Sequence, residues 1–424
     1  MKNALIVLTV LTLTAKIILL FVVNKDLAMN TDEKRNYDLA FNHQNGKGYT
    51  CLYPWEKAPK LSAFHASFPV FVYEFFIKSG IKIQVWVTLV YALAIILFAI
   101  SISYFYRLSL FFLMNERYAL FATVTYCLYP SMLFYVGPLF LYENLALPVL
   151  VIVIYKFIVS IKSGFSRADY FWIPVMISLS SLFRPQTILI YALIFAVYGL
   201  IILKSKNYRL ISVFLLSIIL AGVVQIPALV KNKKMFGEYT LSTQAGFELL
   251  QGHNPLARGS WVNNSEFPGN PIYIYSHSKI ANLGKMNELE ESKARKQLAI
   301  QWIKENPLSE IKLCFRKLAI YFIPKNFEVL KTSDILNPVN LLVHLLFLSC
   351  IALLLYKWSF TKEEMLLFSP IAGSIILTLI FFVGYRWRYY AEPFMIIFAW
   401  QFLLILSDKF KKKGGYAPIS STSV

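Results

Sequence analysis

The chain is short of charge, and shorter of acid than of base. Only 15% of its 424 residues are Asp, Glu, Lys or Arg, where soluble domains carry roughly a quarter. Forty-two basic residues stand against 23 acidic ones, a formal charge of +19. Cysteine is scarce too: Cys51, Cys127, Cys314 and Cys350 have no paired spacing, which excludes a disulfide framework or a zinc knuckle. Three of the four fall in apolar stretches, where a free thiol acts as a small hydrophobe. No glycine-rich phosphate loop follows a strand pattern, so a nucleotide cofactor has no visible cradle. There is no internal repeat, and no low-complexity tract beyond a basic tail, DKFKKKGG.

What fills the chain is apolar. Hydrophobic residues make up 57% and aromatic ones 16%, with a mean hydropathy of +0.56. This is the composition of an all-α polytopic membrane protein, its aromatics suited to bilayer interfaces. The positive charge then reads as topology or anionic lipid, not nucleic acid. Windows of roughly 20 apolar residues give about ten spans, near 4–23, 83–105, 118–136, 138–158, 169–183, 185–203, 209–230, 339–357, 364–384 and 390–407. The first is longer than a signal-peptide core and lacks a small-residue cleavage site, so it reads as a retained span interrupted by Lys16. The two spans beside Arg184 are short.

Alternate connections are short and basic: Arg107 and Arg117; Lys156, Lys162 and Arg167; Lys204, Lys206 and Arg209; Lys357 and Lys362. The positive-inside rule puts these and both termini in the cytoplasm. Two long connections, 24–82 and 231–338, go to the other side. The expected organisation is an N-terminal membrane module over 1–230, a large extracytoplasmic loop over 231–338, and C-terminal spans with a basic tail over 339–424. In the large loop, an acidic turn at Glu288, Glu290 and Glu291 starts a helix that Pro307 stops. Leu308, Ile311, Phe315, Leu318 and Phe322 then line one face of a helix suited to the interface plane.

This topology gathers Asp32, Glu33, Glu143, Arg184, Arg386 and Arg388 on the face that carries the large loop. Ionisable groups at membrane depth are costly and mark function or pairing. Asp32 and Glu33 stand just outside the first span. A carboxylate there can act as a general base or ligate a divalent cation; it equally fits a plain helix cap. Tyr37, Ala40, Phe41 and Gln44 follow at helical spacing, ended by Gly46 and Gly48. Lys57 and Lys60 near the headgroups can hold a phosphate as point charges, with His65 as a ligand or donor. Each embedded charge also has a plainer role: Glu143 as a hydrogen-bond partner within the bundle, Arg184 as a snorkelling cation at a helix break, Arg386 and Arg388 as interfacial anchors.

Taken in order, these pieces resemble the GT-C membrane glycosyltransferases, closest to the branch of protein O-mannosyltransferases and lipid A aminoarabinose transferases. The resemblance rests on the acid–acid–x–x–x–Tyr–x–x–Ala run from Asp32 and on "YPSMLFYVGPLFLYENLALPVLVIVIY", with Glu143 as its embedded acid. It continues in "LFRPQ", where Gln186 stands at a common acid position, and in "PALVKNKKMFGEYTLSTQAGFELLQGHNPLARGSW", where Lys231 replaces the usual Arg. "KQLAIQWIKENP" and "YRWRYYAEP" complete the set, which reaches about residue 395. The family implies transfer of a sugar from a polyprenyl-phosphate donor to a lipid-linked, glycan or protein acceptor on the extracytoplasmic face. It implies Asp32 as general base, tuned or positioned by Glu33, and an inverting displacement. Lys57, Lys60, Arg184, Arg386 and Arg388 are the candidates for the donor phosphate; Tyr37, His65, Glu143 and His253 are further site candidates. A divalent metal is an open possibility, and a bacterial inner membrane is the expected location. The competing readings are a glycan polymerase or O-antigen ligase, which would lean on loop arginine and histidine such as His253, and a lipid or solute transporter, whose two related halves are missing here.

Overall fold

The computed structural model describes residues 2–23, 31–52, 58–135, 142–205, 211–260, 271–322, 333–357 and 359–413. The chain enters through α1 (Lys2–Val23), then α2 (Thr31–Gln44) and α3 (Ser67–Lys78), with a two-residue hairpin between them. In that hairpin β1 (Thr50–Cys51) pairs antiparallel with β2 (Lys60–Leu61). The first bundle half follows as α4 (Ile83–Leu113), α5 (Glu116–Leu128), α6 (Pro130–Tyr135), α7 (Glu143–Ser163), α8 (Asp169–Phe183) and α9 (Thr187–Ser205). Next come α10 (Ile211–Val223) and α11 (Ile226–Phe236), then the large loop with α12 (Gln244–Gly252), α13 (Pro271–Lys279), α14 (Glu288–Glu305) and α15 (Pro307–Phe322). α16 (Ser333–Tyr356), α17 (Lys362–Ile380), the single turn α18 (Tyr385–Arg388) and α19 (Glu392–Lys413) close the chain.

Among the described residues eight helices are long and apolar enough to cross a membrane: α1, α4, α7, α9, the α10–α11 pair, α16, α17 and α19. The two other expected spans, 169–183 and 118–136, are not among them, whereas 185–203, expected to be short, is α9. α8 is an apolar helix of 15 residues, and the span expected over 118–136 is divided into α5 and α6. The division has a local cause. Proline drives the residue before it out of the helical region, and Tyr129, just before Pro130, is extended at φ −58° and ψ 134°. Lys16 of α1 reaches across to this break: its ammonium donates to the Met132 carbonyl and lies 4.1 Å from the Phe98 ring centre. The intramembrane charge thus has a carbonyl and an aromatic face as partners.

The core is built on α7 and the first half of α19. Val151, Val153, Ile154 and Phe157 of α7, and Phe394 to Phe398 of α19, are fully enclosed. α4 packs on α7, α9 on α17, α8 on α10 and α16 on α19. α17 approaches α9 so closely that a Cβ on Gly373 would stand 3.2 Å from Ile190 Cα. The apolar residues of α1, such as Val7, Leu11 and Val22, face outward, as lipid contact requires.

The large loop is a packed layer. α14 opens with a capping box between Asn287 and Glu290. Its acidic turn also anchors the first loop: Glu288 accepts from Ser62 Oγ (2.8 Å), the Ala63 amide (2.7 Å) and Thr243 Oγ1 (2.5 Å). α15 leaves Leu308, Ile311 and Phe315 exposed along one side, consistent with a helix lying at the interface. α12 is wedged between two backbones: a Cβ on Gly246 would meet the Ser292 carbonyl at 1.9 Å, and one on Gly252 the Phe381 carbonyl at 1.6 Å. Gly222, with open space around its Cβ position, is the control. Gly246→Ala should cost about 1–3 kcal/mol by overpacking and lower the thermal midpoint in detergent, whereas Gly222→Ala should leave it in place; equal midpoints would mean that α12 is not held by this contact.

Candidate active site

Asp32 and Glu33 occupy the first turn of α2, where the helix dipole favours negative charge. Neighbouring positions on a helix point about 100° apart, and the two acids accordingly have different surroundings. Glu33 turns inward and is 3% exposed. It accepts from Tyr73 Oη at 2.7 Å, Tyr142 Oη at 2.9 Å and Asn36 Nδ2 at 3.1 Å. These bonds tie α2 to α3 and to the residue preceding α7. Asp32 turns the other way, into a cluster of charges.

That cluster is drawn from distant parts of the sequence. Arg386 of α18 donates from Nη1 to Asp32 Oδ2 at 3.1 Å, and its Nε lies 4.0 Å from Glu143 Oε1. Arg184 Nη2 stands 2.7 Å from Glu143 Oε2. Arg35 and His65 flank Asp32 at 3.7 and 4.0 Å. Local chemistry places each member. Pro185 ends α8 and leaves Arg184 extended at φ −141° and ψ 89°. Glu143 is the first residue of α7. Arg386 follows the turn that leaves α17, where the Val383 amide donates to Gly259 O at 2.7 Å.

The electrostatics separate the two neighbours. Burial by itself would raise the Asp32 carboxyl, but His65, Arg386 and Arg184 outweigh it and hold Asp32 below the ordinary carboxylate range. Burial also pushes the His65 imidazole down to about 4, with Asp32 opposing and Arg35, Arg184 and Arg386 assisting. At neutral pH His65 is therefore uncharged, and the guanidinium groups are what keep Asp32 ionised. Glu33 goes the other way. Burial raises it to about 7 against the pull of its tyrosine hydroxyls and Arg184.

Of the remaining expected residues, Tyr37 stacks on Phe41 and meets Tyr73 edge-on, supporting α2. Lys60 is 2.7 Å from Glu291 Oε1, in the seam between the first loop and α14. Lys57 lies outside the described residues. Arg388 is 4% exposed and bonds Glu392 Oε1 (3.0 Å) and the Tyr321 carbonyl (3.3 Å); the fold does not bring it to the Asp32 cluster. His253 is also elsewhere. Its Nε2 meets the Ile380 carbonyl at 2.7 Å and its Nδ1 faces Glu310 at 2.9 Å, while Lys317 donates to the Leu379 carbonyl at 3.0 Å. Together they hold the last carbonyls of α17, six and seven residues before Arg386.

Two further groups, Arg35 and Glu248, lie near the cluster. For Arg35 the i,i+3 spacing from Asp32 was the available signal. Glu248 of α12 is buried and bonded by the Gln244 amide. Burial pushes it up to about 7, while Arg386, Arg184 and Asp32 all act on it. Its sequence setting, one acid in the amphipathic run GFELL, does not distinguish it from a solvent-facing residue.

Two guanidinium groups bridging two carboxylates form a site in which an incoming anion can exchange partners with a carboxylate. As a divalent-cation site the same residues do not fit. Asp32 and Glu143 each face a guanidinium, and among the described residues no three His, Cys, Asp or Glu side chains converge as a ligand set.

No protein-family model matches the chain, and no curated protein matches it. Solved structures do. The apo crystal structure of the oligosaccharyltransferase of the archaeon Archaeoglobus fulgidus aligns over 97% of this chain and 51% of its own, at a TM-score of 0.53 and 13% identity. The same enzyme in complex with Zn and sulfate aligns over 96% and 50%, at 0.51 and 13%. Tethered to an acceptor peptide, it aligns over 96% and 50%, at 0.50 and 12%. The chain has the GT-C fold. It spans about half the length of the structures it resembles, and at this identity the likeness is one of fold. GT-C architecture and the long apolar helices make the chain an integral membrane protein.

The Glu33 environment gives a pH signature. Its carboxyl rises from 4.5 to about 7 on folding, so the folded chain keeps a proton that the unfolded chain releases between those values. The associated stability is fully present below about pH 4.5 and is lost as pH rises through about 7. Glu33→Gln should therefore gain on the native protein in thermal midpoint between about pH 5 and about pH 8. A difference between the two that stays constant with pH would mean that Glu33 is ionised throughout.

Proposed function

We propose that this protein is a membrane glycosyltransferase that moves a sugar from a polyprenyl-phosphate donor to an acceptor hydroxyl on the extracytoplasmic face, with inversion. The observation that carries the reading is the contact of Asp32 with Arg386 at 3.1 Å beside the Arg184–Glu143 pair, inside a GT-C fold. A lipid-phosphate donor brings a sugar already activated by its leaving group, an anion that needs cations, and a tail that needs lipid. Arg386 and Arg184 supply the cations where the spans meet the outer loops.

Asp32 is the general base. In the resting site its guanidinium neighbours keep it a weak one. When the donor phosphate draws Arg386 to itself, the burial that favours protonation of Asp32 is offset less, and the proton affinity of Asp32 rises. The acceptor hydroxyl gives its proton to Asp32 as its oxygen bonds to the anomeric carbon. The bond from that carbon to the phosphate oxygen breaks with its electron pair going to the phosphate, whose charge Arg386 and Arg184 stabilise. Glu33 positions Asp32 by fixing α2. The short basic loops favour an extracytoplasmic site, and the setting we propose is a bacterial inner membrane with that site facing the periplasm.

The test is transfer of a labelled sugar from a polyprenyl phosphate by the purified protein in detergent. Asp32→Asn should lower the rate by about 10²–10⁴, the usual worth of a placed base, with membrane insertion intact. Full transfer by Asp32→Asn would remove Asp32 from the chemistry, and no transfer by the native protein from any lipid-phosphate sugar would remove the function itself.

A further inference from the structure

The end of the bundle opposite the arginine cluster carries a cleft of its own. Leu20 of α1 shares a packed cluster with Val87 and Val90 of α4 and with Tyr142, which donates to Glu33. These ends of α1 and α4 therefore lie on the Asp32 side. Arg107 is roughly 25 Å further along α4 than Val90, at 1.5 Å per residue, close to the thickness of a hydrocarbon core. There the first turns of α1, the last turns of α4 and the start of α5 line a cleft of about 640 Å³, the size of a small-molecule site. Leu5, Ile6, Val10 and Leu110 make its wall apolar, and Ile6 and Val10, 53% and 55% exposed, face outward. Arg107, Tyr106 and Glu116 supply its polar rim. Glu116 is not spent on capping α5, because the Asn115 side chain accepts from the Arg117 and Tyr118 amides. Arg107 meets the Tyr104 ring at 5.9 Å. Among the described residues neither Arg107 nor Glu116 forms an ion pair, with each other or with a third group. A cation and an anion thus border one cleft without neutralising each other.

We infer that this cleft binds a membrane phospholipid whose headgroup joins a phosphate to a primary ammonium, in the leaflet opposite the Asp32 site. Arg107 takes the phosphate through its planar fork of donors. Glu116 accepts from the ammonium, and an acyl chain covers Leu5, Ile6 and Val10, which removes their apolar surface from the headgroup layer. The choice among headgroups follows from charge. An anionic headgroup without an amine would satisfy Arg107 but set net negative charge beside Glu116. A quaternary ammonium has no N–H to give Glu116. Its usual host is a cage of several aromatic rings, and Tyr106 is the one ring among the described residues that line the cleft. The inference does not rest on the transferase reading: it needs α1, α4 and α5 in a bilayer and nothing of the chemistry at Asp32.

Native mass spectrometry of the full chain in detergent, titrated with phosphatidylethanolamine, phosphatidylglycerol and phosphatidylcholine of identical acyl chains, is the test. The native protein should bind the ethanolamine lipid at least about ten-fold more tightly than either of the others, the scale of one hydrogen bond to a charged group. Arg107→Gln should weaken all three about ten-fold, because the phosphate is common to them. Glu116→Gln should erase the preference for ethanolamine over glycerol. Arg117→Gln, exposed and outside the cleft, should bind as the native protein does. Residues 107 and 116 are exposed, so thermal midpoints without added lipid should match that of the native protein, which separates lost binding from lost fold. Equal affinity of the native protein for the three headgroups would overturn the inference and leave the cleft to whatever lipid surrounds it. So would a Glu116→Gln protein that keeps the native preference, or an Arg107→Gln protein that keeps the native affinity.

Discussion

The site depends on the pairing of charges that could not otherwise leave water. A lone guanidinium or carboxylate moved to a protein interior faces a penalty of several kcal/mol even after relaxation, so Asp32, Glu143, Arg184 and Arg386 are tolerable at the edge of an apolar bundle only together. Asp32–Arg386 and Glu143–Arg184 compensate one another, with Arg386 bridging towards Glu143 at 4.0 Å. One consequence is that the first loop, the start of α7, the end of α8 and the turn before α19 share a single junction. Another is that removing any one charge strands its partner.

Positioning is distributed over the surrounding structure. Glu33 locks α2 through Tyr73 and Tyr142. Glu288 locks the first loop to α14, and α12 sits against both Ser292 and Phe381 because Gly246 and Gly252 carry no Cβ. His253 and Lys317 hold the end of α17, so the large loop acts on Arg386 through the backbone that leads to it. His253, a site candidate by residue type, belongs to this support, and Arg388 is bonded within the bundle to Glu392.

Much of the architecture is legible in the sequence because the bilayer imposes a length and polarity rule on every crossing. The apolar windows locate α1, α4, α7, α9, α16, α17 and α19. The acidic turn before residue 292 and Pro307 locate α14. Where the windows mislead, the cause is local: Pro130 divides a predicted span into α5 and α6. Within the site, Asp32, Glu143, Arg184 and Arg386 are legible as costly charges on one predicted face. Glu248 is not, because a single glutamate in an amphipathic loop helix has the same pattern whether it faces solvent or a cluster of charges.

Composition and spacing thus determine, with no coordinates, that this chain crosses a membrane many times and carries its unusual charges on one side. Those properties follow from the energy of transferring each residue into lipid, which is additive along the chain. Only the tertiary structure decides which charges meet, since Arg386 and Arg388 are two residues apart and bond Asp32 and Glu392 respectively. It also decides that adjacent Asp32 and Glu33 have opposite proton affinities. Pairing and desolvation depend on distance and direction in space, which neighbours in sequence do not share.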